Sequence, residues 1–190
     1  MIDFICGEVI EIGENTVVLK SGGFGYSLFV SEFTKSRLSI GDNVQLYCHL
    51  QVREDALALF GFAGIEEKTL FKNLISVSGI GPKMAITLLS GMRAGKLALC
   101  IVSGDYASLC TIKGLGKKTA EKIVLELREK LNISKEMLLQ DQTESIDAEA
   151  VEVLRSLGIP RKEAAERVKR AVEGGMTTTE QILNFALRNA

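Results

Sequence analysis

The sequence reads Val77-Ser78-Gly79-Ile80-Gly81-Pro82-Lys83 at one point and, 35 residues later, Ile112-Lys113-Gly114-Leu115-Gly116-Lys117-Lys118. Apolar residues flank both copies at the spacing typical of helices. Each copy therefore predicts a helix, a turn of the form Gly-apolar-Gly and a second helix that opens with lysine. The middle of the chain is predicted to hold two such helical hairpins in tandem.

The glycines of each turn are suited to anion binding, because glycine leaves no side chain between the backbone and a ligand. Amides at the start of the next helix, the helix dipole and a nearby lysine all attract phosphate. One such turn is as often a simple helix end, but two copies with lysine in register favour phosphate contacts that ignore base sequence. The predicted contact residues are Ser78, Gly79, Gly81, Lys83, Gly114, Gly116, Lys117 and Lys118.

The second copy also looks like a nucleotide-binding P-loop. The spacing G-x-x-x-x-G-K-[ST] is absent, however, and Lys118 stands where that motif needs a hydroxyl. We therefore predict no nucleotide site and no cofactor. The four cysteines show no metal-ligand spacing, so they are interpreted as small core residues in a reducing compartment, and no metal site is expected.

The sequence before the repeat has the period of strands. Residues 44–52 alternate apolar and polar side chains, which predicts a half-buried strand with His49, the only histidine, on its wet face. Glycine-rich turns separate further short strands. Residues 1–63 are therefore predicted to form a small all-β barrel of the OB type.

The sequence after the repeat turns polar and then helical again. Residues 64–133 are predicted to be the helical hairpin domain, 134–147 a flexible linker, and 148–190 a small three-helix domain. The predicted fold class is thus a multi-domain chain with an OB-like barrel, an all-α middle domain and a small all-α C-terminal domain.

The charge is distributed unevenly along the chain. The net charge of −1 argues against an anionic partner, but it conceals segments of −4 (1–62), +5 (63–133) and −2 (134–190). The basic middle therefore favours a nucleic acid. No stretch has the length of a membrane span or the pattern of a signal peptide, so a cytoplasmic protein without membrane contact is expected.

An acidic turn follows the alternating strand. Glu54 and Asp55 lie between Val52 and a second apolar run, where a hairpin turn is expected. A solvated loop tip is the simplest interpretation. Beside a domain that binds phosphates, the two carboxylates would repel duplex DNA locally and favour DNA whose strands diverge.

These segments together resemble the RuvA family, the junction-binding subunits of the bacterial branch migration complex. The resemblance covers the whole chain and is strongest up to about residue 131. It rests on these motifs: Ser21-Gly22-Gly23-Phe24-Gly25-Tyr26, Val52-Arg53-Glu54-Asp55, Leu59-Phe60-Gly61-Phe62, Thr69-Leu70-Phe71-Lys72, Leu89-Ser90-Gly91-Met92 and the two Gly-apolar-Gly turns.

The resemblance implies a non-catalytic scaffold for recombination and DNA repair. Four subunits would hold a four-way junction open and square-planar, as one tetramer or two opposed ones, with Glu54 and Asp55 as an acidic pin near its centre. The C-terminal domain would bind the hexameric ATPase RuvB through Leu154, Leu157 and Ile159, although the spacing alone equally suits a core role for at least one of them. The endonuclease RuvC is a further implied partner.

The sequence departs from the family pattern in two places. The first strand reads Asp3-Phe4-Ile5-Cys6 where many members carry arginines, and Lys113 replaces a usual proline.

Two other classes of function remain open. A helix-hairpin-helix DNA glycosylase or nuclease is the enzymatic alternative. A glycosylase of that type would need a catalytic Asp downstream of the hairpin, where the sequence offers only Glu121, Glu126 and Glu129, and a metal nuclease would need clustered carboxylates. A pure protein adaptor is the third.

Overall fold

The structure, a computed structural model, describes residues 2–131, 147 and 149–188. The chain divides into two compact units, Met1–Ile133 and Ser134–Ala190, and each is described by itself. The first unit contains a barrel of five strands followed by helices. The strands are β1 (Phe4–Ile12), β2 (Thr16–Ser21), β3 (Phe24–Val30), β4 (Asn43–Val52) and β5 (Leu57–Phe62).

The barrel closes in the order β1-β2-β3-β5-β4. Neighbouring strands are antiparallel except β3 and β5, which pair in parallel with Phe29 opposite Phe60. A short helix, α1 (Glu32–Lys35), lies between β3 and β4. Inward-facing aliphatic side chains fill the barrel, so the predicted OB-like barrel is confirmed.

The helical part of the first unit packs against this barrel. Its helices are α2 (Ile65–Ser76), α3 (Pro82–Gly91), α4 (Ala94–Ser103), α5 (Tyr106–Leu109) and α6 (Lys117–Leu127). The apolar stripes that the sequence shows at helical spacing form its core, with Leu74, Leu88 and Ile123 each at most 1% exposed. The two hairpins are therefore present, as α2–α3 and α5–α6.

Part of the outer face of β4 is covered, contrary to the sequence prediction: His49 is half-buried, although Gln45 on the same face is exposed. The His49 ring lies 5.4 Å from the ring of Phe71 on α2 and 6.4 Å from that of Phe60. Burial lowers the pKa of His49, and the positive charges of Lys72 and Lys68 lower it further. The alternating pattern could not reveal this, because it does not say that a helix covers the polar side of the strand.

A buried lysine ties α2 to the first strand. Lys68 is only 7% exposed, and its ammonium group pairs with the carboxylate of Asp3 and donates to the Asp3 carbonyl oxygen. A buried ammonium needs such partners, because leaving it unpaired is costly. Asp3, which directly precedes β1, thus has an internal structural role.

In the described residues of the second unit, 147 and 149–188, three helices form a cluster. Its helices are α7 (149–156), α8 (Arg161–Glu173) and α9 (Thr179–Arg188). Gly158, at φ 89°, ends the first helix before Pro160, and the Thr178 hydroxyl accepts the Gln181 N–H at the start of α9. The three predicted helices are confirmed. The predicted linker, 134–147, lies outside the described residues apart from Asp147.

Two of the four cysteines are not core residues. Cys48 and Cys100 are buried, whereas Cys6 and Cys110 are exposed, which corrects the prediction for the latter pair. Within the described residues no single helix is long and apolar enough to cross a membrane. Helices α3 and α4 together have the length and composition of a span, but they are bent by 99° at the break.

The environment of His49 gives a prediction for stability against pH. The pKa of His49 is lower in the folded state than the value of about 6.5 in the unfolded chain. Between these two pKa values the folded state binds fewer protons than the unfolded state. Stability should therefore fall as pH decreases through about 6.5 and level off below the folded pKa. His49→Gln should lose this component, which thermal unfolding of both proteins between pH 5 and 8 will measure.

The comparison isolates one imidazole, because the sequence contains a single histidine. Other groups with shifted pKa values are common to both proteins and cancel in the difference. A stability difference between the two proteins that stays constant across this pH range would contradict the prediction.

Candidate nucleic-acid interface

The first Gly-apolar-Gly turn has a backbone that glycine alone adopts easily. Gly79 has φ 93°, in the left-handed region. The Ile80 N–H donates to the Val77 carbonyl at 3.0 Å, and the Ile80 side chain, 5% exposed, fills the space beneath the turn. Gly81 then begins α3 as its N-cap, with no side-chain cap.

The second turn repeats this geometry 35 residues later. Gly114 has φ 86°, the Leu115 N–H donates to the Ile112 carbonyl at 3.1 Å, and Leu115 is also 5% exposed. Gly116 begins α6 without a side-chain cap. The helix before this turn is only one turn long, because Gly104 ends α4 and Asp105 starts α5 again. The sequence repeat is therefore a repeat of backbone shape.

The space in front of both helix starts is open. Gly81 and Gly116 have φ values of −88° and −82°, which any residue adopts, and a Cβ built on either meets no atom within 4 Å. The protein's own packing thus gives no reason for glycine at these two positions. A ligand that approaches the backbone closely does give one.

The two turns lie next to each other on one surface. A Cβ built on Gly114 would come within 3.9 Å of the Met84 methyl group in the first turn of α3. At the other end of α3, Gly91 lies so close to Ile112 that a Cβ there would meet its side chain at 2.7 Å. This close packing fixes one hairpin against the other.

Exposed cations surround these turns. Lys83, Lys113, Lys117 and Lys118 are all exposed, and Ser78 is exposed beside the first turn. Lys117 lies 4.0 Å from the Glu121 carboxylate, one helical turn away, a contact that the sequence interpretation did not include. Such exposed pairs are weak in water, so Lys117 remains available to a stronger anion.

The acidic residues lie at the tip of the β4–β5 hairpin. Val52 pairs with Leu57, and the Arg53 N–H donates to the Ala56 carbonyl at 2.9 Å, which closes a turn with Glu54 and Asp55 at its end. Both carboxylates are exposed. The predicted hairpin turn is confirmed, and the pin residues lie together in the same compact unit as the two glycine turns.

Comparison with known proteins agrees with this arrangement. The family model described as the RuvA N terminal domain matches residues 1–61, and the one described as a SAM-like helix-hairpin-helix tandem matches residues 71–129. The chain is 38% identical to the "Holliday junction branch migration complex subunit RuvA" of Alkaliphilus oremlandii, over 99% of this chain and 98% of the relative. The chain belongs to the RuvA family.

Further RuvA relatives with the same printed name show similar identity. The one from Chloroflexus aggregans is 38% identical over 99% of this chain and 97% of the relative. The one from Dehalococcoides mccartyi is 37% identical over 98% of this chain and 97% of the relative. The similarity therefore covers the barrel, the tandem hairpins and the C-terminal unit of the chain.

One residue predicted to bind a partner needs correction. Leu154 has no exposed surface and lies in the core of the C-terminal unit. Leu157 is 60% exposed, and Ile159 packs partly against that core. The helical spacing of the sequence placed Leu154 and Leu157 in one helix. In the structure α7 ends at 156, and Leu157 lies in the turn beyond it. Val153, 37% exposed and one turn before Leu157, was missed.

In the part of the chain that the structure describes, no group of three or more His, Cys, Asp or Glu side chains is placed to hold a metal ion. The carboxylates Glu121 and Glu126, which an enzymatic interpretation would use, lie on α6. Each is paired with a lysine four residues earlier, at 4.0 and 3.9 Å.

The open space at the helix starts gives a prediction for DNA binding. Gly81→Ala and Gly116→Ala should cost about 1 kcal/mol or less in stability, since neither backbone is strained and only a weak N-cap preference is lost. Each should weaken DNA binding by about tenfold or more, roughly 1.4 kcal/mol, because a methyl group would separate the amides from a phosphate. Denaturant unfolding and fluorescence anisotropy measure the two effects.

Gly25→Ala is the matched control. It lies in β3, its φ is outside the left-handed region, and its new Cβ would meet only Val18, at 3.6 Å. Unchanged DNA affinity in Gly81→Ala and Gly116→Ala would show that these glycines do not contact DNA.

Proposed function

We propose that this RuvA-family chain is the non-catalytic subunit of a branch migration complex that binds Holliday junctions. Its two glycine turns would bind the phosphate backbone without reading base sequence, through Ser78, the exposed lysines and the amides that start α3 and α6. The observation that carries the proposal is the repeated turn geometry, with open space in front of Gly81 and Gly116.

The acidic turn would supply the selectivity for junctions. Glu54 and Asp55 are exposed at the tip of a hairpin in the same compact unit as the phosphate-binding turns. A continuous duplex that contacted the turns and passed the hairpin tip would bring its phosphates close to two carboxylates. Unit charges 4 Å apart in water repel by about 1 kcal/mol. At the centre of a junction the strands separate, and this repulsion is avoided.

A four-fold assembly follows from the symmetry of the ligand. A four-way junction has four arms, whereas one subunit offers two adjacent phosphate-binding turns and one pin. Four subunits around a closed axis would present one such set to each arm. We propose a homotetramer, either one on one face of the junction or two opposed ones.

The C-terminal unit would recruit the ATPase motor RuvB. Leu157 provides an exposed apolar side chain, and Ile159 lies beside it in sequence, partly buried against the helical core. Val153 on α7 and Leu157 just beyond its end are both exposed and together would offer a small apolar surface. The motor would supply ATP hydrolysis, RuvC would cleave the junction, and this chain would position the DNA for both.

The pin is tested by removing its charge while keeping its shape. We expect Glu54→Gln with Asp55→Asn to tighten the binding of linear duplex by roughly tenfold, since two repulsive contacts of about 1 kcal/mol each are reduced by screening. Junction binding should change by less than about twofold, because junctions already avoid the repulsion. Anisotropy titrations of both DNAs at one salt concentration measure the two affinities.

The matched control removes two carboxylates from the other end of the barrel. Glu8 and Glu11 are exposed on β1, and Glu8 pairs with Asn43 at the start of β4, whereas the pin follows the end of β4. Ten residues of β4 separate these ends by about 30 Å. Glu8→Gln with Glu11→Gln should therefore leave duplex binding nearly unchanged. Equal effects of the two double variants would show that the pin has no special position.

A further inference from the structure

A polar cluster joins the barrel to the helices behind the DNA-binding turns. It consists of Ser31, Thr34, Ala63 and Glu67, and we call it the α1 latch. Ser31, the N-cap of α1, and Thr34, within α1, are 0% and 1% exposed, although both are polar. Their hydroxyl groups donate to the two carboxylate oxygens of Glu67 on α2, at 2.5 and 2.6 Å.

Each hydroxyl group of the latch donates one hydrogen bond and accepts another. The Ala63 N–H donates to the Thr34 hydroxyl at 3.1 Å and to Glu67 at 3.3 Å. The Ser31 hydroxyl also accepts the Thr34 N–H at 3.1 Å, which caps α1. Burial raises the pKa of Glu67, and the hydrogen bonds from Ser31, Thr34 and Ala63 oppose that shift.

The latch is connected to the pin by a single stiff strand. Strand β5 begins at Leu57, two residues after Asp55, and ends at Phe62, next to Ala63 of the latch. It is paired on both sides, with β4 and with β3. A shift of the latch therefore moves the strand that carries the pin.

The latch is also connected to the first phosphate-binding turn. Glu67 lies on α2, which leads directly into the turn at Gly79. The Glu32 N–H on α1 donates to the Ser90 hydroxyl on α3 at 3.1 Å. The Arg93 guanidinium lies 5.0 Å from the centre of the Phe33 ring. Helix α1 is thus held by the helices on both sides of that turn.

A carboxylate at this place is better suited to fixing geometry than to adding stability. Burying it costs solvation free energy, and an apolar contact would avoid that cost. Apolar contacts, however, tolerate sliding, whereas hydrogen bonds between three chain segments are directional. The arrangement therefore defines one position of the barrel relative to the helices.

We propose that the α1 latch determines the selectivity for junctions by fixing the acidic pin relative to the phosphate-binding turns. The inference rests on the proposed function. The pin repels duplex only if it cannot move away while the turns hold the phosphates, because the repulsion falls with distance and with screening. Glu67 and Thr34 are then positioning residues that do not contact DNA.

Thr34→Val tests the latch, because it keeps the shape of the side chain and removes the hydroxyl that joins Ala63 to Glu67. The readout is the ratio of duplex to junction dissociation constants of the full chain at one salt concentration. We expect the ratio to fall at least fivefold, mainly through tighter duplex binding. Thr34→Ser, which restores the hydroxyl, should restore the ratio.

Two controls separate this effect from a loss of stability. Thr69→Val makes the same chemical change on α2 at an exposed hydroxyl that bonds only within its helix, to Ile65. Val17→Ala removes volume from the barrel core, where Val17 is fully buried, and lowers stability without touching the latch. Both should keep the wild-type ratio.

The outcomes distinguish the latch from the proposed function. A Thr34→Val protein whose Ala63 amide exchanges hydrogen faster but whose ratio is unchanged would overturn the latch and leave the proposed function standing. A wild-type protein without preference for junctions would overturn both. If Thr34→Val does not fold, Ser31→Ala removes the other hydroxyl bonded to Glu67 instead and should lower the ratio in the same direction; an unchanged ratio would overturn the proposal.

Discussion

The left-handed backbone at Gly79 and Gly114 is the constraint on which the rest of the site depends. With φ of 93° and 86°, each glycine reverses the chain within two residues, so the next apolar side chain is buried and the next helix begins with its amides facing open space. A residue with a side chain would cost about 1–2 kcal/mol in this conformation. Two such turns, packed against each other through Gly91 and Ile112, lie on one surface, where we propose two anion sites.

The proposed selectivity for junctions would come from combining attraction with repulsion. The net charge of −1 suggests indifference to DNA, but the basic segment 63–133 and the acidic segment 1–62 fold into one compact unit. Sequence-independent attraction alone would bind both DNA shapes alike. A difference in affinity can come from better contacts with one shape or from repulsion against the other, and the proposed function combines the two at a fixed separation. The polar contacts between α1, Ala63 and α2 provide a means of fixing it.

Features set by a few neighbouring residues were predictable from the sequence. The two turns, the acidic hairpin and the order of barrel, hairpins and C-terminal helices follow from glycine positions and apolar periodicity. The single-turn α5 was not anticipated, although Gly104-Asp105 is the local signal for it. The first helix of the second hairpin, α5, is therefore shorter than the first helix of the first hairpin, α2.

Features set by distant parts of the chain were not predictable. His49 is covered because α2 packs on β4, and Leu154 is buried because three helices close around it. The carboxylate of Glu67 looks like an ordinary surface charge in the sequence. Its hydroxyl partners precede it by 36 and 33 residues, so only the folded chain reveals the contact.

Recognition of junction geometry is tested most directly by the mass of the complex. The full chain is mixed with a four-way junction and, separately, with a linear duplex of the same sequence, and light scattering measures the mass of each complex. We predict four or eight subunits on the junction at protein concentrations that leave the duplex free. A single subunit per junction, or equal occupancy of the two DNAs, would contradict a junction-binding scaffold.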